Sequence, residues 1–175
     1  MGIMRKQLKN LSYRIHRRAS RISSSFTALW KHYLLQSFAA TVVLFIVLLS
    51  LTLENAVVIA SIGATAFIVF TMPKSATAQP RRVIGGHIIG LGAGLLCTLI
   101  PHGDTIISLA IYSLAVGIAI FSMVALDFEH PPAAGTALGV AITGFSPGVI
   151  AAVLTSSIIM SLAHHFGRRY LRDLT

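Results

Sequence analysis

The run FEHPPAAGTALGVAITG, residues 128–144, decides how this chain is read. It sets Glu129, His130 and two prolines in front of an apolar stretch of only about fourteen residues, 131–144. Crossing a bilayer core takes roughly 20 apolar helical residues. Proline suits the first turn of a helix, where its missing N–H would be unbonded anyway. His130-Pro131-Pro132 therefore reads as the start of a short helix lined by Ala133, Ala134, Gly135, Thr136 and Ala137. That start is expected within or near a membrane rather than clear of it.

The rest of the chain supplies the membrane. Of 175 residues, 55% are hydrophobic and 11% are charged, with a mean hydropathy of +0.80. A soluble domain keeps about a quarter of its residues charged. The chain is therefore expected to be an all-α, polytopic membrane protein in one domain. Six apolar segments are legible, at 33–53, 56–72, 83–100, 105–126, 131–145 and 148–166. The net charge of +9 does not point to nucleic acid, because it is not spread over the chain. Eight of the fourteen Lys and Arg lie in residues 1–32, three between Lys74 and Arg82, and three between Arg168 and Arg172. Loops held on the cytoplasmic side carry this excess. Six crossings put every basic residue on one face, with both termini cytoplasmic and Glu54 and Asp104 opposite. Four crossings, with a re-entrant pair or folded-back short segments, is the competing count. A bacterial inner membrane is the expected location.

Residues 1–32 contain no acid, and Met4, Leu8, Leu11, Ile15, Ile22, Phe26 and Leu29 recur at helical spacing. This predicts a basic amphipathic arm lying on anionic lipid, separate from a membrane domain at 33–166 and a basic tail at 167–175. A basic tail that only fixes topology is the plainer reading. No signal-peptide cleavage site is visible.

A weak internal symmetry appears on shifting the chain by 71 residues. GATAF (63–67) then falls on AGTAL (134–138), Val69 on Val140, and Ser37 on Ser108. Three segments separate the halves, so they would run in opposite directions, as in a 3+3 inverted repeat with short helices at the midplane. Gly86, Gly90 and Gly94 on the third segment, and Gly135 and Gly139 on the fifth, are spaced by four. Such ridges let membrane helices approach closely. For most of these glycines close helix packing is the preferred reading, and a homo-oligomer is the partner expected beyond it.

The polar residues suggest the chemistry. A helix start offers free N–H groups and the positive end of a dipole to an anion. Pro132, Gly135 and Thr136 mark one such start, and Ser61, Gly63 and Thr65 its symmetry mate. Two amide tips facing each other near the midplane are expected to hold a small anion. His130, His87 and Glu129 are candidates for gating or proton coupling. Glu129 either faces water, pairs with Arg81 or Arg82, or shares a proton with His130. Gln79 and Arg81, in the loop PKSATAQPRR (73–82), are placed to admit anions. For His87 the plain alternative is an imidazole bonded to a neighbouring helix. His164, His165, Arg168 and Arg169 read as interface anchors that offset a helix dipole.

Enzyme chemistry is not expected. GFSPG (144–148) fits the G-x-S-x-G pattern of a serine nucleophile. In that geometry the residue after the serine donates its N–H to the oxyanion, and here it is Pro147, which has none. There is no H-E-x-x-H, P-loop or dinucleotide fingerprint. Cys97 stands alone and matches no metal spacing, so no metal or cofactor is expected.

Four motifs in order, GATA (63–66), AQPR (78–81), GGH (85–87) and HPPA (130–133), resemble the HPP family of integral membrane proteins. The resemblance covers about residues 33–166 and leaves out the arm before Trp30. It implies a small multi-helix membrane domain, usually described with four spans. It also implies transport of nitrite, an activity associated with plant-plastid and cyanobacterial members. The loop departs from the family pattern, with Ala76 in place of proline and Arg82 in place of asparagine. The added cation bears on which anion is admitted. Residues and resemblance together predict a transporter or channel for a small monovalent anion. A non-transporting scaffold that recruits partners through its basic arm is the alternative.

Overall fold

A computed structural model describes residues 2–49, 56–101 and 103–174, and all regular structure among them is helical. In chain order the helices are α1 (Gly2–Leu49), α2 (Ala56–Thr71), α3 (Pro80–Thr98), α4 (Thr105–Ala125), α5 (Pro132–Thr143) and α6 (Pro147–Gly167). A single 3₁₀ turn, Ala76–Ala78, lies between α2 and α3.

The boundaries follow local chemistry. Proline occupies the first turn of α3, α5 and α6, where it costs no hydrogen bond. Asp104 starts α4, its carboxylate accepting the Ile106 N–H at 2.8 Å and the Ile107 N–H at 3.3 Å. Ser146 starts α6, its hydroxyl accepting the Val149 N–H. Thus the serine of the GFSPG motif caps a helix, in a turn between two helices.

Among the described residues, three stretches are long and apolar enough to cross a bilayer: Thr27–Leu49, Thr105–Ala125 and Pro147–Gly167. Val57–Thr71 and Pro132–Thr143 are apolar but shorter. At 1.5 Å per residue, the 12 residues of α5 reach only about 18 Å. Large side chains such as Ile106, Leu109, Phe121 and Val124 on α4 are exposed, as lipid-facing residues must be. The molecule is a multi-pass integral membrane protein.

The arm and the first segment, expected as separate units meeting at 32/33, form one helix of 48 residues. No proline or glycine interrupts residues 3–49, so the backbone has no reason to break there. Met4 is exposed. The side chains of Leu8, Leu11, Ile15, Ile22 and Phe26, which carry the expected amphipathic stripe, lie outside the described residues.

α3 and α5 form the centre. α3 packs on α4, α5 and α6, while α2 packs on α1, α5 and α6. The glycine ridge of α3 makes this contact. A Cβ on Gly90 would lie 2.4 Å from the Ala133 carbonyl oxygen, and one on Gly94 2.7 Å from that of Ala137. No larger residue fits there without parting the helices. On its other side α5 turns Gly135 and Gly139 toward Ser61 and Val58 of α2.

One end of the bundle gathers the charge. Arg81 and Arg82 pair with Asp127, and Arg82 also pairs with Glu129. Of the options for Glu129, pairing with Arg82 is the one seen. The C-terminal residues join this end through the Leu174 N–H on the Thr71 carbonyl and the Lys74 N–H on the Asp173 carboxylate. Gln36, fully buried, donates to the carbonyls of Phe70 and Arg172 and accepts the Arg172 N–H. His164, expected as an interface anchor, is instead buried, with Nε2 bonded to the Pro73 carbonyl.

Candidate functional site

α2 is antiparallel to α5: Thr65 meets His130 before the start of α5, Ser61 meets Thr136, and Val58 meets Gly139. This corrects one expectation about the site. Ser61 and Gly63 lie inside α2, which starts at Ala56, so their amides belong to the helix's own ladder. The start of α5 lies at the charged end of the bundle and that of α2 at the other. Two amide tips therefore do not face each other. At the start of α5 itself, the Ala133 and Ala134 N–H groups bond the carbonyls of His130 and Pro131.

What α2 turns toward α5 is hydroxyls. Ser61 Oγ donates to the Pro132 carbonyl at 2.5 Å and lies 2.9 Å from Thr136 Oγ1. Thr136 Oγ1 lies 2.9 Å from His87 Nδ1, and Thr65 Oγ1 lies 2.9 Å from His87 Nε2. Thr65 Oγ1 is also 3.0 Å from His130 Nε2, and His130 Nδ1 is 2.8 Å from the Thr77 carbonyl. Ser61, Thr65, His87, His130 and Thr136 are all buried. The two imidazole centroids are 5.1 Å apart. Five of the residues singled out from the sequence thus form one continuous chain of contacts. It starts at a loop carbonyl by the charged end. It ends at Ser61, ten residues or about 15 Å from the end of α2.

Backbone shape holds the chain together. A Cβ on Gly86 would come 2.7 Å from that of His130, so the glycine lets the 128–131 loop bring this imidazole against α3. Pro132 contributes its carbonyl, and Gly135 lies against Ser61. Gly63 meets no such neighbour, since a Cβ there would find nothing within 4 Å. Glu129 and Arg81 stand at the rim in ion pairs, with Arg81 also over the Phe128 ring at 4.8 Å. Gln79 is exposed at the start of α3, outside the buried chain.

Two cavities flank the chain. A groove of about 640 Å³ between α2 and α5 reaches Ser61, Pro132 and Gly135. A cavity of about 360 Å³ between α4 and α5 reaches Glu129 and His130. Both are otherwise apolar. Among the described residues, no three His, Cys, Asp or Glu gather as a metal site.

Sequence reading did not find Thr77, because it acts through a backbone carbonyl that any residue has. Gln36 it passed over, although an amide in an apolar helix must find partners.

A multi-helix membrane protein with a buried imidazole–hydroxyl chain beside a short helix is the class that fold and site define. The chain belongs to the HPP family: the family described as "HPP, transmembrane region" matches residues 23–172. The match begins inside the basic arm, ahead of the 33 expected from motifs. Two Dictyostelium discoideum proteins, each named only as a transmembrane protein, are similar. One is 33% identical over 59% of this chain and 34% of its own length. The other is 34% identical over 51% of this chain and 31% of its own length. The chain thus spans about a third of the length of these relatives. No solved structure matches it.

Proposed function

We propose that the chain is a transporter or channel for a small monovalent anion, with nitrite the leading candidate. The observation that supports this is the buried polar chain itself. Polar and ionisable groups inside a membrane bundle are costly and mark solute or proton pathways. Ser61, Thr65 and Thr136 bring hydroxyl donors, and His87 and His130 bring imidazoles, with no lysine or arginine buried among them. Hydroxyls and imidazoles, not amide tips, are the donors in this reading. A passing anion takes up hydrogens that these side chains otherwise share, and the groove at Ser61 and the cavity at His130 are its approaches. Arg81 and Gln79 act only at the rim.

The packing pattern supports a plan of two inverted halves. Exchanging α1 with α4, α2 with α5 and α3 with α6 turns each of these helix contacts into one that is present, α2–α5 and α3–α6 mapping onto themselves. Thus α1–α2 becomes α4–α5, α3–α5 becomes α6–α2, and α1–α6 becomes α4–α3. Thr65 and Thr136, matched by the 71-residue shift, bond the two nitrogens of His87. We read the protein as a carrier and not an enzyme, since the serine of GFSPG is used as a helix cap.

Flux into liposomes holding the purified protein tests this, with nitrite, nitrate, formate and chloride compared. Nitrite flux above that of empty vesicles is expected. A folded protein giving no anion flux removes the reading. If His130 couples protons, wild-type flux rises as pH falls and His130→Gln flattens that dependence.

A second reading has its own observation. α1 continues for 25 residues ahead of Thr27, with Lys6 and Arg14 exposed there. Such a helix suits anionic lipid or an acidic partner, and a recruiting module would work through it.

A further inference from the structure

We infer that the chain from Thr77 through His130, Thr65, His87, Thr136 and Ser61 to Pro132 is one hydrogen short, and so takes up a single proton shared by His87 and His130. The argument is a count. Six contacts join the seven groups in line, and each needs one hydrogen between its heavy atoms. Three hydroxyls and two neutral imidazoles bring five, one apiece. The two ends fix the direction. Both are carbonyl oxygens, which only accept, so His130 Nδ1 donates to Thr77 and Ser61 Oγ donates to Pro132. Followed inward, donors face outward from both ends, and two lone pairs meet at one contact. The Thr65 hydroxyl also reaches the Ser61 carbonyl at 3.1 Å, but that oxygen already has the backbone N–H of the α2 ladder, so this contact lies outside the count.

One added proton fills all six contacts of the line, in two ways, with the Thr65 hydrogen turned from the Ser61 carbonyl to a ring nitrogen. With the charge on His87, its Nδ1 donates to Thr136 and its Nε2 to Thr65, whose own hydrogen goes to His130 Nε2. With the charge on His130, its Nε2 donates to Thr65 and the Thr65 hydrogen turns to His87 Nε2. The two differ by one hydrogen passing from His87 Nε2 to Thr65 Oγ1 as another passes from Thr65 Oγ1 to His130 Nε2. One N–H and one O–H bond break as one O–H and one N–H bond form, no bond between heavy atoms changes, and no other reactant is needed. A buried charge is costly without partners, and here the filled chain is the partner. Two charges with ring centroids 5.1 Å apart repel, so one proton and not two is taken up.

The surroundings leave the chain to itself. α2, α4 and α5 carry no charged residue. The charges at this end are Arg81 and Arg82 of α3 and Asp127 and Glu129 of the loop before α5, which are paired with one another. α6 brings His164, held on the Pro73 carbonyl. Cys97 and Tyr112 lie toward the opposite end of α3. The cavity shared by Glu129 and His130 gives the proton an approach from the charged end, and Ser61 opens on the groove between α2 and α5.

The inference stands on hydrogen-bond geometry and holds whichever solute crosses. Its test is nitrogen-15 magnetic resonance of histidine-labelled protein in lipid nanodiscs, with His87→Gln and His130→Gln assigning the signals. As pH is lowered from about 8 to about 4, across the range where imidazole chemistry operates, both rings should change together. Each should move to an intermediate shift, with one proton bound per chain. Thr65→Ser should keep this linkage, and Thr65→Val should abolish it, leaving one ring to change alone. Full charging of one ring in the wild type while the other stays unchanged overturns the inference. So does full charging of both, or no protonation over the range. The wild-type and Thr65→Ser spectra decide the question even if Thr65→Val does not fold.

Discussion

Gly90 and Gly92 are two residues apart on α3 and face different worlds. A side chain on Gly90 meets a carbonyl oxygen of α5, while one on Gly92 meets nothing within 4 Å. Gly90→Ala is therefore expected to lower stability by about 1–3 kcal/mol through overpacking. Gly92→Ala should leave stability unchanged, or raise it by up to about 1 kcal/mol through helix propensity. Chemical unfolding in detergent, followed by circular dichroism, separates the two, and equal losses would refute the assigned ridge. At this scale the sequence identified the residues well. Ser61, Thr65, His87, His130 and Thr136 stand out because polar groups in apolar helices must find partners. Their pairing was not legible, because partners from α2, α3, α5 and two loops lie between 22 and 75 residues apart in the chain.

Among the elements, α1 and α5 depart most from the usual span. The 48 residues of α1 reach about 72 Å, more than twice a bilayer core. It packs on α2 and α6, with Gln36, Ala39, Ala40, Val43 and Val47 among the described residues that make the contact. Deletion of residues 1–22, which also lie outside the family match, is expected to leave folding and anion flux within about two-fold of the full chain, since surface changes away from packed features alter stability little. A recruiting module would lose its membrane or partner binding in the same truncation. Flux and vesicle co-sedimentation of the truncated protein distinguish the two. α5 is short because Pro131 and Pro132 open it and Gly144, at φ 77°, closes it. Both signals were readable. That α2 continues unbroken through Ser61 was not, since the 71-residue match set a helix interior against a helix start.

For the whole molecule, charge sets orientation. Lys74 and the arginines at 81, 82, 168, 169 and 172 belong to the end that also holds Asp127, Glu129 and Asp173, while Gly103 and Phe145 lie at the other. With six crossings, the arrangement we propose, Lys74 and Phe145 lie on opposite sides of the membrane. Cys97, the one cysteine, is 1% exposed, so engineered cysteines are read against a silent background. An impermeant maleimide should label Gly103→Cys and Phe145→Cys from outside intact cells, and Lys74→Cys only after the membrane is opened. Labelling of Phe145→Cys only from within would favour four crossings and a re-entrant α5–α6 pair.

Read alone, the residues establish the membrane class, the charged end and the proline-marked helix starts, because hydropathy, basic residues and prolines act where they stand. Five of the buried polar groups could be read as well, since they sit among apolar neighbours, while Gln36 and His164 could not. The tertiary structure alone decided that these groups meet in one line, and that hydroxyls rather than amides face α5. A helix uses its own amides in its ladder, and the antiparallel register of α2 on α5, set by glycine faces, chooses which side chains touch.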